Sequence, residues 1–237
     1  MAGQGVYTTR TTKFLEWIGL TLVIAWLKKT RPHLFIEDVH DNSAWFDKGI
    51  DLILAEGGSR VTVDLKVDSY FGKDPNKKAR GLYNLDSDAL LFETISQLRF
   101  DRDSLVQAPD VPGWFWTSEA DEVYHYFIAV LGPVERLKEL HREAQSAAKL
   151  GGGVTSFDTA LLADLEVERD LLVTYPLKEA REWYRSAPSE ALGPWVGATN
   201  PGYVTVSRRI DREYFLRHGP GRSYGSLLDA LRSAASG

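Results

Sequence analysis

The chain has 237 residues, a length that suits one large domain or two small ones, and its hydrophobic (43%), aromatic (11%) and charged (26%) fractions are those of an ordinary globular protein. Its formal net charge of -5 argues against nonspecific wrapping of nucleic acid and allows only a local basic footprint. The absence of cysteine excludes disulfides, zinc-thiolate sites and cysteine nucleophiles, and because it fits a reducing compartment we expect a cytoplasmic protein.

Residues 13–29 are predicted to form a largely buried first helix. The apolar run from Trp17 to Leu27 is shorter than the about 20 residues that a membrane-spanning helix needs. A basic segment, and not a small-residue cleavage site, follows it. A short strand at 35–39 and a polar turn at 40–43 come next. An Asx-type turn is the preferred interpretation of His40 and Asp41, and a position in a cleft is the alternative.

Residues 49–68 carry the pattern of a β-hairpin. Apolar residues at 50, 52 and 54 and again at 61, 63, 65 and 67 alternate at the period of a strand, and Gly57-Gly58 supplies the turn. With the turn centred between the glycines, Asp51 faces Asp64, and Lys66 lies on the same face as Asp64. Two carboxylates about 4 Å apart repel each other by on the order of 4 kcal/mol at an effective dielectric near 20. Lys66, a bound cation or both must offset that repulsion, and hard oxygen ligands suit Mg2+ or Mn2+.

This arrangement carries a resemblance to a known family. Asp51, followed thirteen positions later by Asp64-Leu65-Lys66, resembles the signature of the PD-(D/E)xK (restriction-endonuclease-like) metal-dependent nuclease superfamily. The resemblance spans roughly residues 13–130. It implies that Asp51, Asp64 and the backbone carbonyl of Leu65 hold the metal and that Lys66 positions or activates the attacking water. Ile50 replaces the family's Pro, and the second acid is Asp where Glu is commoner, but neither change removes a ligand.

The same resemblance makes two further acids candidates. Glu16, on the predicted first helix, resembles a third metal ligand found in several branches of the superfamily. The alternative is an N-terminal helix acid favoured by the helix dipole. Residues 89–97 are predicted to form a third strand, whose sequence around Glu93 looks like the third strand of some members of the family. Glu93 is therefore a weaker candidate, either as a ligand or as a neighbour of the ligands.

A basic loop is predicted between the hairpin and the third strand. Residues 69–81 contain Pro, Gly and Asn, and a single acid accompanies the basic residues Lys73, Lys77, Lys78 and Arg80. These four residues would hold phosphate groups by charge, without reading sequence. A solvated loop that only aids solubility is the alternative.

The remainder of the chain is predicted to contain two more core strands and then mainly helices. The core strands are expected at 113–116 and 123–131, with His125 as a buried core histidine. Helices are expected at 135–150, 158–175, 177–185, after Asp211 and at 223–235, with a long loop at 187–203 and a strand at 204–207.

These elements predict a single α/β domain, residues 1–237. Its core, about 13–131, is a restriction-endonuclease-like mixed central β-sheet flanked by helices, and about 133–237 form a helical C-terminal extension. We expect a Mg2+- or Mn2+-dependent nuclease, specifically a DNA endonuclease, with DNA favoured over RNA and no membrane partner. The alternatives are a catalytically inert nucleic-acid-binding or assembly module, a metal hydrolase of small substrates, and a plain exposed hairpin with a surface Lys-Asp pair. The sequence leaves open whether the protein forms a homodimer.

Overall fold

A computed structural model describes residues 9–68, 89–98, 110–132, 139, 142–143, 165–200 and 203–233. These residues form a mixed six-stranded sheet and a four-stranded sheet, both accompanied by helices. The predicted α/β class with a mixed sheet flanked by helices is therefore confirmed. None of the described helices is both long enough and apolar enough to cross a membrane.

The helices and strands of the described residues are numbered here in chain order. The strands are β1 (Phe35–Asp38), β2 (Leu52–Glu56), β3 (Ser59–Asp68), β4 (Ala89–Leu98), β5 (Val111–Pro112), β6 (Glu122–Gly132), β7 (Glu166–Pro176), β8 (Leu192–Asn200), β9 (Tyr203–Asp211) and β10 (Arg222–Ser223). The helices are α1 (Thr9–Thr30), α2 (Ser43–Phe46), α3 (Trp114–Thr117), α4 (Leu177–Ser186), α5 (Arg212–His218) and α6 (Leu227–Arg232).

The predicted hairpin forms with the predicted register. In it, β2 and β3 pair so that Leu54 is opposite Val61 and Leu52 is opposite Val63. Gly57 and Gly58 have φ values of 58° and 84°, the left-handed conformation that a tight hairpin turn requires. The strand order of the larger sheet is β1-β2-β3-β6-β7-β10, in which β3 and β6 are parallel and the other described pairs are antiparallel.

The two faces of the larger sheet have different coverings. Because side chains alternate along a strand, Leu65 and Asp64 point to opposite faces of β3. The Leu65 face packs against α1 and α6 in one apolar core, where a Cβ at Gly19 of α1 would overlap with the side chain of Val67. The Asp64 face is shared by the second sheet, ordered β5-β4-β9-β8, and by α3, α4 and α5, whose core is rich in aromatic residues. The acids of the hairpin therefore lie on the side of the second sheet.

The C-terminal portion is not helical in the way that the sequence predicted. Most of the helix expected at 158–175 is outside the described residues or belongs to β7, whose residues 172–175 are all buried. A strand covered on both faces has a continuous apolar run with no period of two, and such a run is easily mistaken for a buried helix. The predicted loop at 187–203 contains β8. This is an edge strand, and Pro194 lies where its pairing with β9 is irregular, a position that tolerates proline.

Other C-terminal predictions are confirmed. The helix expected at 177–185 is α4, and the strand expected at 204–207 is part of β9. Asp211 caps α5 by accepting a hydrogen bond from the backbone N–H of Tyr214 at 2.7 Å.

The prediction of a strand at 113–116 was wrong, because α3 occupies those residues. The helix expected at 135–150 lies outside the described residues except for 139 and 142–143.

Candidate active site

The hairpin brings Asp51 and Asp64 together as its register requires. Asp51 lies immediately before β2, and its backbone N–H donates to the carbonyl of Val63 at 2.8 Å. Its carboxylate Oδ2 accepts a hydrogen bond from the backbone N–H of Leu65 at 2.7 Å. Asp64 is completely buried. Two acids on neighbouring strands are thus held on one face of the sheet, in a place where water screens their charges poorly.

The electrostatics of Asp51 reflect this concentration of negative charge. Burial raises the pKa of Asp51 to about 6, and the charge of Asp64 contributes to the increase. The positive charge of Lys66 and the hydrogen bond from Leu65 oppose it only in part. The folded protein therefore favours a proton, or a cation in its place, beside these two acids.

Lys66 supplies the positive charge nearest to Asp64. Its Nζ lies 2.7 Å from Asp64 Oδ1 and 5.0 Å from the centre of the Trp114 ring. Burial alone would lower the pKa of Lys66, but Asp64, Asp51 and Glu93 together raise it above its ordinary value. The side chain is 29% exposed, so a ligand that approaches from solvent can reach it.

A divalent cation would interact favourably with the buried acids of this site. Asp64 Oδ2 is shielded from solvent and has no hydrogen-bond partner among the described residues, which is costly for a buried carboxylate. Two carboxylates and the carbonyl of Leu65 are the hard oxygen donors that Mg2+ and Mn2+ prefer. Among the described residues, no three His, Asp or Glu side chains are grouped closely enough to hold an ion by themselves. An ion here would thus retain several waters, as Mg2+ usually does.

Glu93 reaches the same site from the second sheet. Burial raises the pKa of Glu93, and a hydrogen bond from the backbone N–H of Trp114 and the charge of Lys66 oppose the increase. The backbone there is tightly packed, because a Cβ at Gly113 would overlap with the carbonyl of Glu93. The structure therefore places Glu93 beside Lys66, where the backbone N–H of Trp114 on α3 holds its carboxylate.

The structure does not bring Glu16 to this site. Glu16 is exposed on α1, and α1 packs against the face of the larger sheet opposite to Asp64 and Lys66. The ligand role that the family resemblance implied for Glu16 therefore has no geometric support. The basic residues Lys73, Lys77, Lys78 and Arg80 lie outside the described residues.

Two neighbours of the site were missed in the sequence. Arg181 of α4 donates hydrogen bonds to the carbonyls of Phe115 (2.6 Å) and Ser118 (2.8 Å) and interacts electrostatically with Asp64. Trp114 holds Glu93 and contacts Lys66, as described above. These contacts have no signal in the local sequence, since each joins residues more than 20 positions apart. His125 is buried, as expected of a core histidine, with Nε2 2.6 Å from Asp68 Oδ2.

No protein-family model, curated protein or solved structure matches this chain. The geometry of the site is accordingly the basis for its functional assignment.

Proposed function

We propose that this protein is a divalent-metal-dependent nuclease that hydrolyses phosphodiester bonds, and specifically a DNA endonuclease. The observation that carries the proposal is the pairing of Asp51 with the buried Asp64 across the hairpin, with Lys66 Nζ 2.7 Å from Asp64 Oδ1 on the same face. Hydrolysis of a phosphodiester requires stabilisation of negative charge on the phosphate. A pair of acids that favours a cation, next to a fixed ammonium group, is suited to that task.

Asp51, Asp64 and the carbonyl of Leu65 would hold Mg2+ or Mn2+. Glu93 is not grouped closely enough with the two acids to be a third ligand, and its charge acts on Lys66 beside the site. When bound, such an ion supplies Lewis-acid stabilisation of phosphate charge and makes a water molecule more acidic. The buried Asp64 oxygen without a donor, and the raised pKa of Asp51, both support a cation at this position.

The chain's own residues have separate roles in this proposal. Lys66 has a raised pKa, so it stays protonated near neutral pH and serves as a fixed positive charge. In that state it binds a phosphate oxygen or orients a water molecule, and it does not remove a proton. The N–H of Leu65 holds the carboxylate of Asp51 in a fixed orientation. Trp114 limits access of bulk water to one side of the ammonium group, whose Nζ is 5.0 Å from its ring.

A second candidate function is a noncatalytic nucleic-acid-binding or assembly module on the same fold. The ion pair of Lys66 and Asp64 favours it, because the pair partly neutralises the site without a metal. So does the absence, among the described residues, of three acidic or histidine side chains grouped as ligands. Binding of Mn2+ that depends on Asp51 and Asp64 separates the nuclease from this module.

The test is a cleavage assay on supercoiled plasmid, linear duplex, single strands, a four-way junction and RNA, each with Mg2+, Mn2+ or EDTA. Lys66→Ala and Asp64→Asn should each reduce metal-dependent cleavage by about 100-fold or more, the scale of losing one transition-state contact. Lys48→Ala and Asp47→Asn are matched controls, because Lys48 forms an exposed pair with Glu119 at 3.3 Å and Asp47 is exposed. Full activity in Lys66→Ala and Asp64→Asn would refute the nuclease assignment.

A further inference from the structure

A row of aromatic and cationic side chains continues from the candidate active site onto the second sheet. It starts at Trp114, whose ring centre is 5.0 Å from Lys66 Nζ, and continues along α3 to Trp116. The ring of Trp116 lies 5.6 Å from that of Tyr184 on α4, and the guanidinium of Arg185 lies 5.5 Å from the Trp116 ring. The row is therefore continuous across two helices.

The outer end of the row is a cross-strand pair in the second sheet. Trp195 of β8 is the register partner of Arg208 of β9, and the guanidinium carbon lies 4.7 Å from the Trp195 ring centre. Trp195 is 55% exposed. Arg208 donates a hydrogen bond to the carbonyl of Leu192 at 3.3 Å, and its Nε has no hydrogen-bond partner among the described residues. An exposed tryptophan is thus held against a partly buried guanidinium group, whose Nε is shielded from solvent.

Arg208 lies close enough to Tyr184 for its charge to oppose the effect of burial, which raises the pKa of the Tyr184 hydroxyl. Phe92 is fully buried and supports both parts of the row from the core without contacting a ligand. Phe92 of β4 is the register partner of Arg208 on its other side, so Phe92, Arg208 and Trp195 lie on three adjacent strands. The Phe92 ring is 6.3 Å from the Trp114 ring and 6.2 Å from the Tyr184 ring. With neighbouring strands about 4.8 Å apart, Trp195 is about 10 Å from Phe92.

The chemistry of the row matches one kind of ligand. Aromatic rings bind the flat faces of bases, and guanidinium groups bind phosphates and stack on rings. In a duplex the base faces are covered by neighbouring base pairs, whereas a single strand can turn them toward Trp195 and Trp116. Lys66, Arg185 and Arg208 each lie against one tryptophan of the row, which places three positive charges along it on a chain whose formal net charge is -5.

We propose that the stacking row, defined as Trp114, Trp116, Tyr184, Arg208 and Trp195, binds single-stranded nucleic acid and leads it to Lys66. The inference rests on the proposed nuclease function, for which it names the substrate class. Binding is measured separately from cleavage, so that a failure of this inference can be distinguished from a failure of the proposed function.

The test is fluorescence anisotropy with a labelled 15-nucleotide DNA strand, the same sequence as RNA, and the matching DNA duplex, all in EDTA. We expect at least one of the single strands to bind about tenfold more tightly than the duplex. Trp195→Ala should weaken that binding by about tenfold, a value within the range for loss of one stacked base, and Trp195→Phe should restore most of it. Arg208→Gln should weaken it similarly and make its salt dependence shallower, because one phosphate contact is lost.

Phe35→Ala is the matched control, because Phe35 is an aromatic residue that is 61% exposed on β1, at the far edge of the other sheet. Thermal melting would establish that each variant is folded. Equal affinity for strand and duplex, or a Trp195→Ala protein that binds like Phe35→Ala, would overturn the stacking row. Trp195-dependent binding without cleavage of any substrate supports the row and counts against the nuclease. Metal-dependent cleavage, combined with an affinity for single strands that Trp195→Ala does not change, would support the nuclease and count against the stacking row.

Discussion

The carboxylate of Asp51 accepts a hydrogen bond from the backbone N–H of Leu65 at 2.7 Å. The strand β3 therefore holds in place an acid that lies just before β2. Leu65 is flanked by Asp64 and Lys66, and one backbone position therefore orients all three charged groups relative to one another. The bond also keeps Asp51 in place although its pKa is raised to about 6. The charged groups are consequently held in fixed positions in the folded protein. Burial and the charge of Asp64 destabilise the ionised form of Asp51 there.

Because folding raises the pKa of Asp51, the free energy of unfolding should depend on pH. Its pKa is 3.8 as a free side chain and about 6 in the folded protein, so between these values the unfolded chain loses the proton first. The free energy of unfolding should thus fall as pH rises from about 4 to 6, by up to about 3 kcal/mol from this residue. Asp51→Asn should remove that contribution and be more stable than the wild type at pH 8.

Urea unfolding in EDTA across this pH range measures the dependence of the free energy of unfolding on pH. The control Asp47→Asn should keep the pH dependence of the wild type. A wild-type slope retained in Asp51→Asn would contradict the interpretation.

Divalent metal should relieve the same repulsion. At a concentration of 100 times its dissociation constant, Mn2+ should stabilise the folded protein by about 2.7 kcal/mol. The increase in Tm should be largest above pH 7, where Asp51 is ionised, and should decline below pH 6. Asp51→Asn and Asp64→Asn should each lose most of it, which calorimetric titration can verify directly. An unchanged Mn2+ affinity in both variants would instead place the ion elsewhere in the protein.

Lys66 should act through its charge and not as a base. Lys66→Arg keeps a positive charge, so it should retain more activity than Lys66→Ala, although about tenfold less than the wild type because the guanidinium group has a different shape. Its pH–rate profile between pH 7 and 9 should match that of the wild type. Steady-state cleavage rates at each pH provide the comparison, with Lys48→Ala as the surface control. An activity in Lys66→Arg no higher than in Lys66→Ala would mean that the ammonium group itself is needed.

A buried acid on the opposite face of the sheet should matter for stability alone. Asp170 accepts hydrogen bonds from Tyr126 Oη at 2.7 Å, from the Ser226 hydroxyl, and from the backbone N–H groups of Leu227 (2.7 Å) and Leu228 (3.2 Å). Asp170→Ala leaves these donors unpaired and should cost about 3–5 kcal/mol of unfolding free energy.

Tyr126→Phe removes one of the donors to the same carboxylate, and it should cost less, about 1.5–3 kcal/mol. Chemical denaturation gives both values. Mn2+ affinity in Tyr126→Phe should remain that of the wild type, since the network lies on the face covered by α1 and α6. A loss of less than 1 kcal/mol in Asp170→Ala would show that solvent or another group replaces the carboxylate.

The sequence was most informative where one strand pairs with its neighbour in the chain. The alternation around Gly57-Gly58 predicted the hairpin, its register and the meeting of Asp51 with Asp64, because a short turn fixes register locally. The strand that carries Glu93 was also predicted, but its assignment to a separate sheet was not. Sheet membership depends on long-range pairing, here between β4 and β9, and no local pattern encodes it.

Other features lay beyond the reach of local patterns. The family resemblance made Glu16 a candidate ligand, with an N-terminal helix acid as the alternative, but the nearly uniform apolar run of α1 does not say which side of the helix faces the sheet, and Glu16 is exposed. Trp195 and Arg208 are thirteen residues apart, and only the β8–β9 register makes them neighbours. The prolines near β8 favoured a loop, since a sequence does not show that a strand will lie at an edge where proline is tolerated.

Because β10 and α6 follow β7 in the chain, the part of the larger sheet that they cover can form only after they have been synthesised. β7 is finished at residue 176, but the partners that cover its outer edge and bind Asp170 lie between residues 222 and 228. At about 5–20 residues per second, a ribosome needs roughly 3 to 10 seconds to make the intervening segment. During that interval the nascent chain exposes an unpaired strand edge, which is a site for association with other chains. A chaperone would act on this intermediate until residues 222–228 have been made and β10 pairs with β7.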